Sequence, residues 1–127
     1  MTGSPTILIV EDHTQIRRMV RMMLGIYPLR VIEAANGLEA LAAHNRYRPE
    51  LVFLDLMLPD AEGADLCRKM KTVRPETRVV ILSARGQPAD RQRAHDGGAD
   101  GYVVKPFEET ELYAQVEQAF PGIARRS

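Results

Sequence analysis

The sequence lacks several features that would point to a secreted, disulfide-bonded or membrane-inserted protein. Its 127 residues include one cysteine, Cys67, so no internal disulfide and no thiolate metal cluster can form. No apolar run approaches the roughly 20 residues of a membrane span, and the short polar N-terminus does not resemble a signal peptide. These absences predict a soluble, cytoplasmic protein whose cysteine stays reduced.

An excess of charge of one sign is also absent. Seventeen basic residues balance seventeen acidic ones, which gives a formal net charge of zero. This balance gives no electrostatic reason to expect binding to nucleic acid or to a membrane surface. Basic residues cluster only locally, and a solvated helix face and a frayed tail would account for them. These clusters are Arg17, Arg18 and Arg21, and Arg125 and Arg126.

The sequence does contain a regular alternation of short apolar runs and longer amphipathic segments. It has no internal repeat, and its length fits one domain. The apolar runs are continuous and rich in β-branched residues, which is typical of strands buried on both faces of a parallel sheet. These runs are 7–10, 29–32, 51–54, 79–82 and 102–104.

Helical periodicity fills the segments between and after these runs. The predicted apolar stripes are Ile16, Met19, Val20 and Met23; Leu38, Leu41 and Ala42; Leu66, Met70 and Val73; and Leu112, Val116, Ala119 and Phe120. A further helix fits between Pro88 and Gly97, although large apolar residues are few there. Strands that alternate strictly with helices predict an α/β fold, (βα)5, with helices on both faces of a parallel sheet.

Polar side chains follow four of the five predicted strands. In such folds ligands bind beyond the carboxyl ends of the strands. The residues in question are Glu11 and Asp12 after the first strand, Asp55 at the end of the third, Ser83 after the fourth and Lys105 after the fifth. The second strand ends at Glu33, to which the pattern assigns no role.

Each of these polar residues also has a purely structural interpretation. An acid pair suits the start of a helix, a serine can begin a turn, and Lys105 can neutralise a single acid. Asp55 lies within an apolar run, where a charge is costly to bury unless it is paired, and Lys105 is one candidate partner. Independent caps and turns need not converge on one edge of a sheet, so their joint placement favours a functional site.

The chemistry of this set suits phosphoryl transfer. Neighbouring carboxylates raise one another's pKa, and a hard divalent cation such as Mg²⁺ relieves the repulsion through oxygen ligands. An aspartate can act as a nucleophile and become an aspartyl-phosphate. Such a reaction mainly needs positioning and charge neutralisation on the phosphoryl oxygens, which Lys105 and Ser83 can supply.

On these residues the chain resembles the receiver domain of a two-component response regulator, from about Thr6 to Phe120. The matching motifs are Glu11-Asp12; Asp55 with Pro59 and Gly63; Ser83-Ala84; Gly98-Ala99-Asp100-Gly101-Tyr102; and Lys105-Pro106-Phe107. The resemblance implies a flavodoxin-like, doubly wound sheet in the order 2-1-3-4-5. It also divides the chain into a disordered N-terminus (1–5), a receiver domain (6–120) and a tail or start of a linker (121–127).

The resemblance further implies a role for each residue. Asp55 would be the phosphoacceptor, Lys105 would contact the phosphoryl group, and Ser83 would move toward it while Tyr102 turns inward as an aromatic switch. The cofactor would be Mg²⁺ or Mn²⁺. Its implied ligands are Glu11, Asp12, Asp55 and the backbone carbonyl of Met57.

The implied phosphoryl donor is a sensor histidine kinase or a histidine phosphotransfer protein. The surface of the fourth helix, fifth strand and fifth helix would then control a downstream protein target or a missing output domain, and receivers often form homodimers through it. The chain itself would bind neither nucleic acid nor membrane. It would be a phosphorelay switch, not a turnover enzyme, and would catalyse only its own phosphorylation and dephosphorylation.

Two alternatives remain at this level. The chain could be a receiver-fold binding module that works without phosphorylation, although its complete set of site residues argues against that. It could also be a small hydrolase with an aspartyl nucleophile. Such enzymes commonly carry a second acid two residues further on, and Met57, which stands there, cannot donate a proton.

Overall fold

The computed structural model describes residues 3–126, and within them five strands alternate with five helices. The strands are β1 (Thr6–Val10), β2 (Arg30–Ala34), β3 (Leu51–Leu54), β4 (Arg78–Ser83) and β5 (Gly101–Val104). The helices are α1 (Thr14–Leu24), α2 (Gly37–Tyr47), α3 (Gly63–Val73), α4 (Pro88–Asp96) and α5 (Glu109–Ala119). The predicted segments 1–5 and 121–127 fall partly outside the described residues, which exclude Met1, Thr2 and Ser127.

The five strands are parallel and pair in the order β2-β1-β3-β4-β5. This order confirms the predicted (βα)5, flavodoxin-like fold. The chain leaves β1 toward β2 on one side and later returns to β3 on the other. Sheets of this kind bind ligands beyond the carboxyl ends of the strands at such a reversal.

The prediction that every strand is buried on both faces is correct for the three central strands and wrong for the two edges. β1 and β3 are buried throughout, and β4 is buried except for Arg78. In the edge strands, Ala34 is the buried residue of β2 and Val103 that of β5. An edge strand has a neighbour on one side only, so its side chains are covered less completely.

The core has two halves, one on each face of the sheet. Alternate residues of β1 point to opposite faces, so Leu8 packs into one half and Ile9 into the other. The first half includes buried residues of α2, α3 and α4. The second half includes those of α1 and α5. The sheet is therefore covered by helices on both faces. The loops that lead from each strand to the next helix lie at the carboxyl ends of the strands.

Local signals in the sequence account for several helix starts. Asn36 caps α2 by accepting a hydrogen bond from the Glu39 N–H at 2.8 Å, and the Glu39 carboxylate accepts one from the Ala35 N–H at 2.9 Å. Pro88 opens α4, where the missing N–H is not needed. Among residues 3–126, none of these helices is both long enough and apolar enough to span a lipid bilayer.

The leucine pattern predicted the buried face of helix α2 only in part, since Leu41 packs against the core but Leu38 does not. Leu38 is 76% exposed, whereas Ala40, Ala43 and His44 are buried. The small alanines leave room for α2 to lie close to the sheet. The polar His44 ring fits into this layer because its Nε2 lies 3.3 Å from the hydroxyl oxygen of Thr77, which is itself buried.

The predicted apolar stripes of α1 and α3 each include one residue that is exposed. Met19 and Val73, which the periodicity assigned to the core, are exposed. The prediction for α4 is confirmed in position and in character, since its buried residues are Asp90 and the small Ala94. This helix is consequently attached to the sheet by less apolar contact than its neighbours.

The last described residues lie against the domain instead of extending from it. The Arg125 guanidinium lies 4.9 Å from the centroid of the Tyr113 ring and 3.3 Å from a carboxylate oxygen of Glu117. The backbone N–H of Arg126 donates to the carbonyl of Ile26. The expectation of a frayed tail is therefore wrong for Arg125, while the assignment of 121–127 to a tail or a linker stays a prediction.

The buried His44 should make the stability of the fold depend on pH. Burial lowers the pKa of the His44 imidazole, and the Arg74 guanidinium lowers it further. The unfolded chain takes up a proton on His44 near its ordinary pKa of about 6.5. We therefore expect its contribution to the free energy of unfolding to be complete above that pH and to decline below it.

Denaturant unfolding of the wild type and of His44→Gln, between about pH 5 and about pH 8, measures this dependence. The excess stability of the wild type over the variant should shrink as the pH falls. An excess that stays constant over this range would contradict the assignment of a neutral, buried imidazole.

Candidate functional site

The polar residues that follow or end four of the strands lie at the same end of the sheet. Glu11 and Asp12 follow β1, Asp55 follows β3, Ser83 is the last residue of β4, and Lys105 follows β5. Because the strands are parallel and adjacent in the order β1, β3, β4, β5, all of these residues lie at their carboxyl ends. The sequence-predicted site residues are thus brought together in space.

The centre of this group is the ammonium of Lys105, which contacts two buried carboxylates. Its Nζ forms an ion pair with the carboxylate of Glu11 and lies 3.2 Å from Oδ2 of Asp55. Glu11 is 2% exposed and Asp55 is 6% exposed. Charges so deeply buried are stable only when they are paired, and one lysine provides the pairing for both.

The environment gives the two acids opposite pKa shifts. Burial raises the pKa of Asp55, and the Glu11 carboxylate raises it further, against the lowering effects of the Met57 N–H and Lys105. Burial also acts to raise the pKa of Glu11, but hydrogen bonds from Lys105 and from the His13 N–H outweigh it and hold that pKa below its ordinary value. The pKa values of the two acids are therefore shifted in opposite directions, although both acids contact the same lysine.

Lys105 remains a cation in this setting. Burial acts to lower the pKa of its ammonium, but the contacts with Glu11 and Asp55 outweigh burial and raise that pKa. The backbone of Lys105 is fixed as well, because its N–H donates to the Ser83 carbonyl at 2.8 Å. A permanent positive charge thus lies beside Asp55.

The loop after β3 holds the second oxygen of Asp55. The Met57 N–H donates to Asp55 Oδ1 at 3.1 Å. The loop closes tightly where Gly63 begins α3, because a Cβ on Gly63 would collide with the Asp55 carbonyl oxygen. This close approach explains why a glycine stands eight residues after Asp55.

A cavity of about 410 Å³ opens over Asp55. Its lining includes the predicted site residues Asp12, Asp55, Met57, Ser83 and Lys105, together with Ala84. The small Ala84 side chain leaves space next to the Ser83 hydroxyl. A polyatomic anion can therefore approach Asp55 from solvent while it contacts Lys105.

A hydrogen-bonded path connects Ser83 with Tyr102. Ser83 Oγ accepts a hydrogen bond from the Arg85 N–H at 3.1 Å, and the Tyr102 hydroxyl donates to the Arg85 carbonyl. The Tyr102 ring is half-buried in this structure, and the Arg91 guanidinium lies 4.8 Å from its centroid. Residue 85 therefore links the site to β5 and α4.

The acidic side of the site fits a divalent cation. This end of the sheet carries three carboxylates, from Glu11, Asp12 and Asp55, and the Lys105 ammonium pairs with two of them, which leaves negative charge in excess. Among residues 3–126, the side chains of Glu11, Asp12 and His13 form the group whose ligand atoms lie within 4.8 Å of one another. Asp55 is not in that group, although it lines the same cavity as Asp12 and His13.

Comparison with known proteins identifies the family. A model of the response regulator receiver domain matches residues 7–117. The chain belongs to this family. The match includes β2 to β5 and all of β1 except Thr6, so the receiver domain accounts for nearly the whole chain.

Curated relatives of this receiver domain include two bacterial transcriptional regulatory proteins. ResD of Bacillus subtilis is 36% identical over 116 residues, which make up 91% of this chain and 48% of that protein. SrrA of Staphylococcus aureus is 38% identical over 116 residues, 90% of this chain and 47% of that protein. The chain thus spans about half the length of the curated relatives it matches.

Solved structures give the same result. The response regulator DrrB of Thermotoga maritima superposes with a TM-score of 0.83 at 33% identity, over 91% of this chain and 52% of that chain. The BeF3-activated DrrB receiver domain gives a TM-score of 0.85 at 33% identity, over 91% of this chain and 97% of that chain. A CheY-like receiver domain from Methanospirillum hungatei gives 0.87 at 28% identity, over 91% and 93%.

Sequence reasoning missed two residues next to the acid pair. His13, which was given no site role, lies with its Nδ1 3.2 Å from Glu11 and 3.3 Å from Asp12. Arg17, which was assigned to a solvated helix face, donates to the backbone carbonyl of Glu11 at 2.8 Å and to the Glu33 carboxylate at 2.9 Å. The position of Glu33 could have indicated a role near the site, since it too stands near the carboxyl end of a strand.

A third missed residue is Asp60, in the loop between β3 and α3. Its two carboxylate oxygens accept hydrogen bonds from the N–H groups of Gly37 at 2.7 Å and Leu38 at 3.0 Å, at the start of α2. These bonds lower the pKa of the Asp60 carboxyl. The loop that carries Met57 is therefore tied to the start of α2, a helix that packs against β1 and β2.

Replacing Asp60 should loosen both the loop and the start of α2. We expect Asp60→Ala to lower the thermal unfolding midpoint and to speed amide hydrogen exchange at Gly37 and Leu38, because both N–H groups lose their acceptor. Asp60→Asn, which keeps one oxygen, should have a smaller effect. Asp65→Ala, which removes an exposed acid from α3, is the control.

Hydrogen exchange followed by NMR measures the two amides directly. Because the pKa of Asp60 is lowered on folding, its contribution should be present at neutral pH and be lost as the carboxyl is protonated in acid. Unchanged exchange at Gly37 and Leu38 in Asp60→Ala would show that the tie contributes nothing.

Proposed function

We propose that this receiver domain is a phosphorylation-dependent switch that accepts a phosphoryl group on Asp55. The donor is the phosphohistidine of a sensor histidine kinase or of a histidine phosphotransfer protein. Membership of the response regulator family supports this proposal. The observation that carries it is the Asp55 carboxylate itself, which faces an open cavity with the Lys105 ammonium 3.2 Å away.

The transfer step is a displacement at phosphorus. A carboxylate oxygen of Asp55 forms the new O–P bond while the P–N bond of the donor breaks, and the electron pair of that bond returns to the donor imidazole. Asp55 lines the open cavity and Glu11 does not, so Asp55 is the acid of the two that a phosphoryl group can reach. Lys105 stabilises the negative charge on the phosphoryl oxygens.

A divalent cation, Mg²⁺ or Mn²⁺, fits the acidic side of the site. Asp12, Asp55 and the Met57 carbonyl would hold it, with Glu11 next to them. When bound, it would neutralise charge on the phosphoryl oxygens. The buried Glu11 carboxylate also keeps Lys105 in place, so it serves the site through the lysine as well.

The switch would start at Ser83. Its hydroxyl can donate to an oxygen of the new phosphoryl group, and a shift of Ser83 toward that group disturbs its bond from the Arg85 N–H. Arg85 in turn accepts the hydrogen bond of Tyr102. The phosphoryl group would thus bias the position of Tyr102 and the weakly buried α4 beside it.

The receiver domain would act through other proteins. The surface of α4, β5 and α5 is the site proposed for a downstream target, an output domain or a second copy of the chain. The curated relatives are about twice as long, which supports an output domain. The chain would be cytoplasmic and would catalyse only its own phosphorylation and dephosphorylation.

Incubation with acetyl phosphate and Mg²⁺ tests the phosphoacceptor. We expect intact-mass spectrometry to show the gain of one phosphoryl group on the wild type and none on Asp55→Asn, which cannot form the aspartyl-phosphate. Asp65→Asn is the matched control, because Asp65 is an exposed acid outside the cavity.

Equal phosphorylation of Asp55→Asn and the wild type would place the acceptor elsewhere. If Asp55→Asn bound a partner protein as the phosphorylated wild type does, a module that works without phosphorylation would be favoured. Neither outcome depends on knowing the kinase.

Mg²⁺ should also stabilise the fold. A ligand that binds the native state at about 100 times its dissociation constant adds about 2.7 kcal/mol to the free energy of unfolding. We expect a gain of this kind for the wild type in urea unfolding, and a much smaller one for Asp12→Asn. NaCl at matched ionic strength is the control, and a wild type that does not respond to Mg²⁺ would contradict the metal assignment.

A further inference from the structure

We propose that Arg17 is a positioning residue that orients the acid pair Glu11-Asp12 toward the cation. This inference rests on the proposed function, because it concerns the same metal site. Arg17 lies on α1, outside the residues that line the cavity. It would act through the backbone of Glu11 and not through contact with the metal or the phosphoryl group.

The backbone of Glu11 is held on both sides. Its N–H donates to the carbonyl of Ala34 at 3.0 Å, which continues the pairing of β1 with β2 by one residue. Its C=O accepts a hydrogen bond from Nη1 of Arg17 at 2.8 Å. This carbonyl belongs to the peptide unit that joins Glu11 to Asp12, so the orientation of that peptide is set by Arg17.

Arg17 is itself held rigidly. Its side chain is 16% exposed, and its Nε donates to Glu33 Oε1 at 2.9 Å. The other oxygen of Glu33 accepts a hydrogen bond from Arg21 at 2.8 Å. Glu33, on the edge strand β2, thus fixes the position of the Arg17 guanidinium. Arg17 in turn fixes the Glu11 carbonyl, directly after β1.

The position of the peptide matters for the cation because Asp12 has few other restraints. The Glu11 carboxylate is fixed by Lys105, but the Asp12 side chain is exposed at the rim of the cavity. Its direction follows from the backbone that carries it. Replacing a residue that orients a metal ligand commonly lowers metal affinity by about 10- to 100-fold.

Electrostatics alone makes the opposite prediction. The guanidinium is a positive charge near the acid pair, so its removal should strengthen the binding of a divalent cation. Positioning predicts that its removal weakens binding. The sign of the change therefore separates the two effects.

Titration with Mn²⁺, with free ion measured by electron paramagnetic resonance, provides the test. We expect Arg17→Gln to weaken Mn²⁺ binding about tenfold or more and Arg17→Lys, which can still donate to the carbonyl, to recover part of the loss. Arg21→Gln is the matched control. It removes an arginine from the same Glu33, and within residues 3–126 the hydrogen bonds of Arg21 go to Glu33 and Val31, not to Glu11.

Urea unfolding of each variant shows that binding is compared between folded proteins. If Arg17→Gln fails to fold, Glu33→Gln, which weakens the anchor and leaves Arg17 in place, should still bind Mn²⁺ more weakly than Arg21→Gln does. Mn²⁺ binding by Arg17→Gln, or by Glu33→Gln in its place, that equals or exceeds that of Arg21→Gln would overturn the inference. A wild type that binds no Mn²⁺ would overturn the proposed metal site as well.

Discussion

The structure of the site depends on one interaction, the contact of the Lys105 ammonium with two buried carboxylates. Glu11 and Asp55 come from different strands, and each would be costly to bury alone. Lys105, which follows β5, pairs with both. This arrangement is possible only because the parallel order β1, β3, β4, β5 brings those strand ends side by side.

The shared lysine also divides the roles of the two acids. Glu11, with a lowered pKa, holds Lys105 in place, while Asp55, with a raised pKa, lines the cavity. The surrounding loops hold Asp55 and connect the site to the rest of the domain. The Met57 N–H fixes one oxygen of Asp55, and Ser83 joins the site to Tyr102 through Arg85.

The sequence was sufficient to predict the fold and which polar side chains meet at one end of the sheet, because both depend on where strands end. It was insufficient where side chains meet across distant segments. Asp60 reaches α2 over 23 residues and Arg17 reaches Glu33 over 16, and no local pattern encodes such contacts. The buried face of α2 was misjudged for another reason: hydrophobicity pointed to Leu38, whereas close packing selected Ala40 and Ala43.

A crystal structure of the chain with Mg²⁺ and beryllofluoride would show directly whether Asp55 and Lys105 form a phosphoryl site. We expect beryllium bonded to a carboxylate oxygen of Asp55, with Lys105 in contact with one fluoride and the Ser83 hydroxyl with another. An adduct on a different residue, or a Lys105 side chain turned away from an adduct on Asp55, would contradict this expectation.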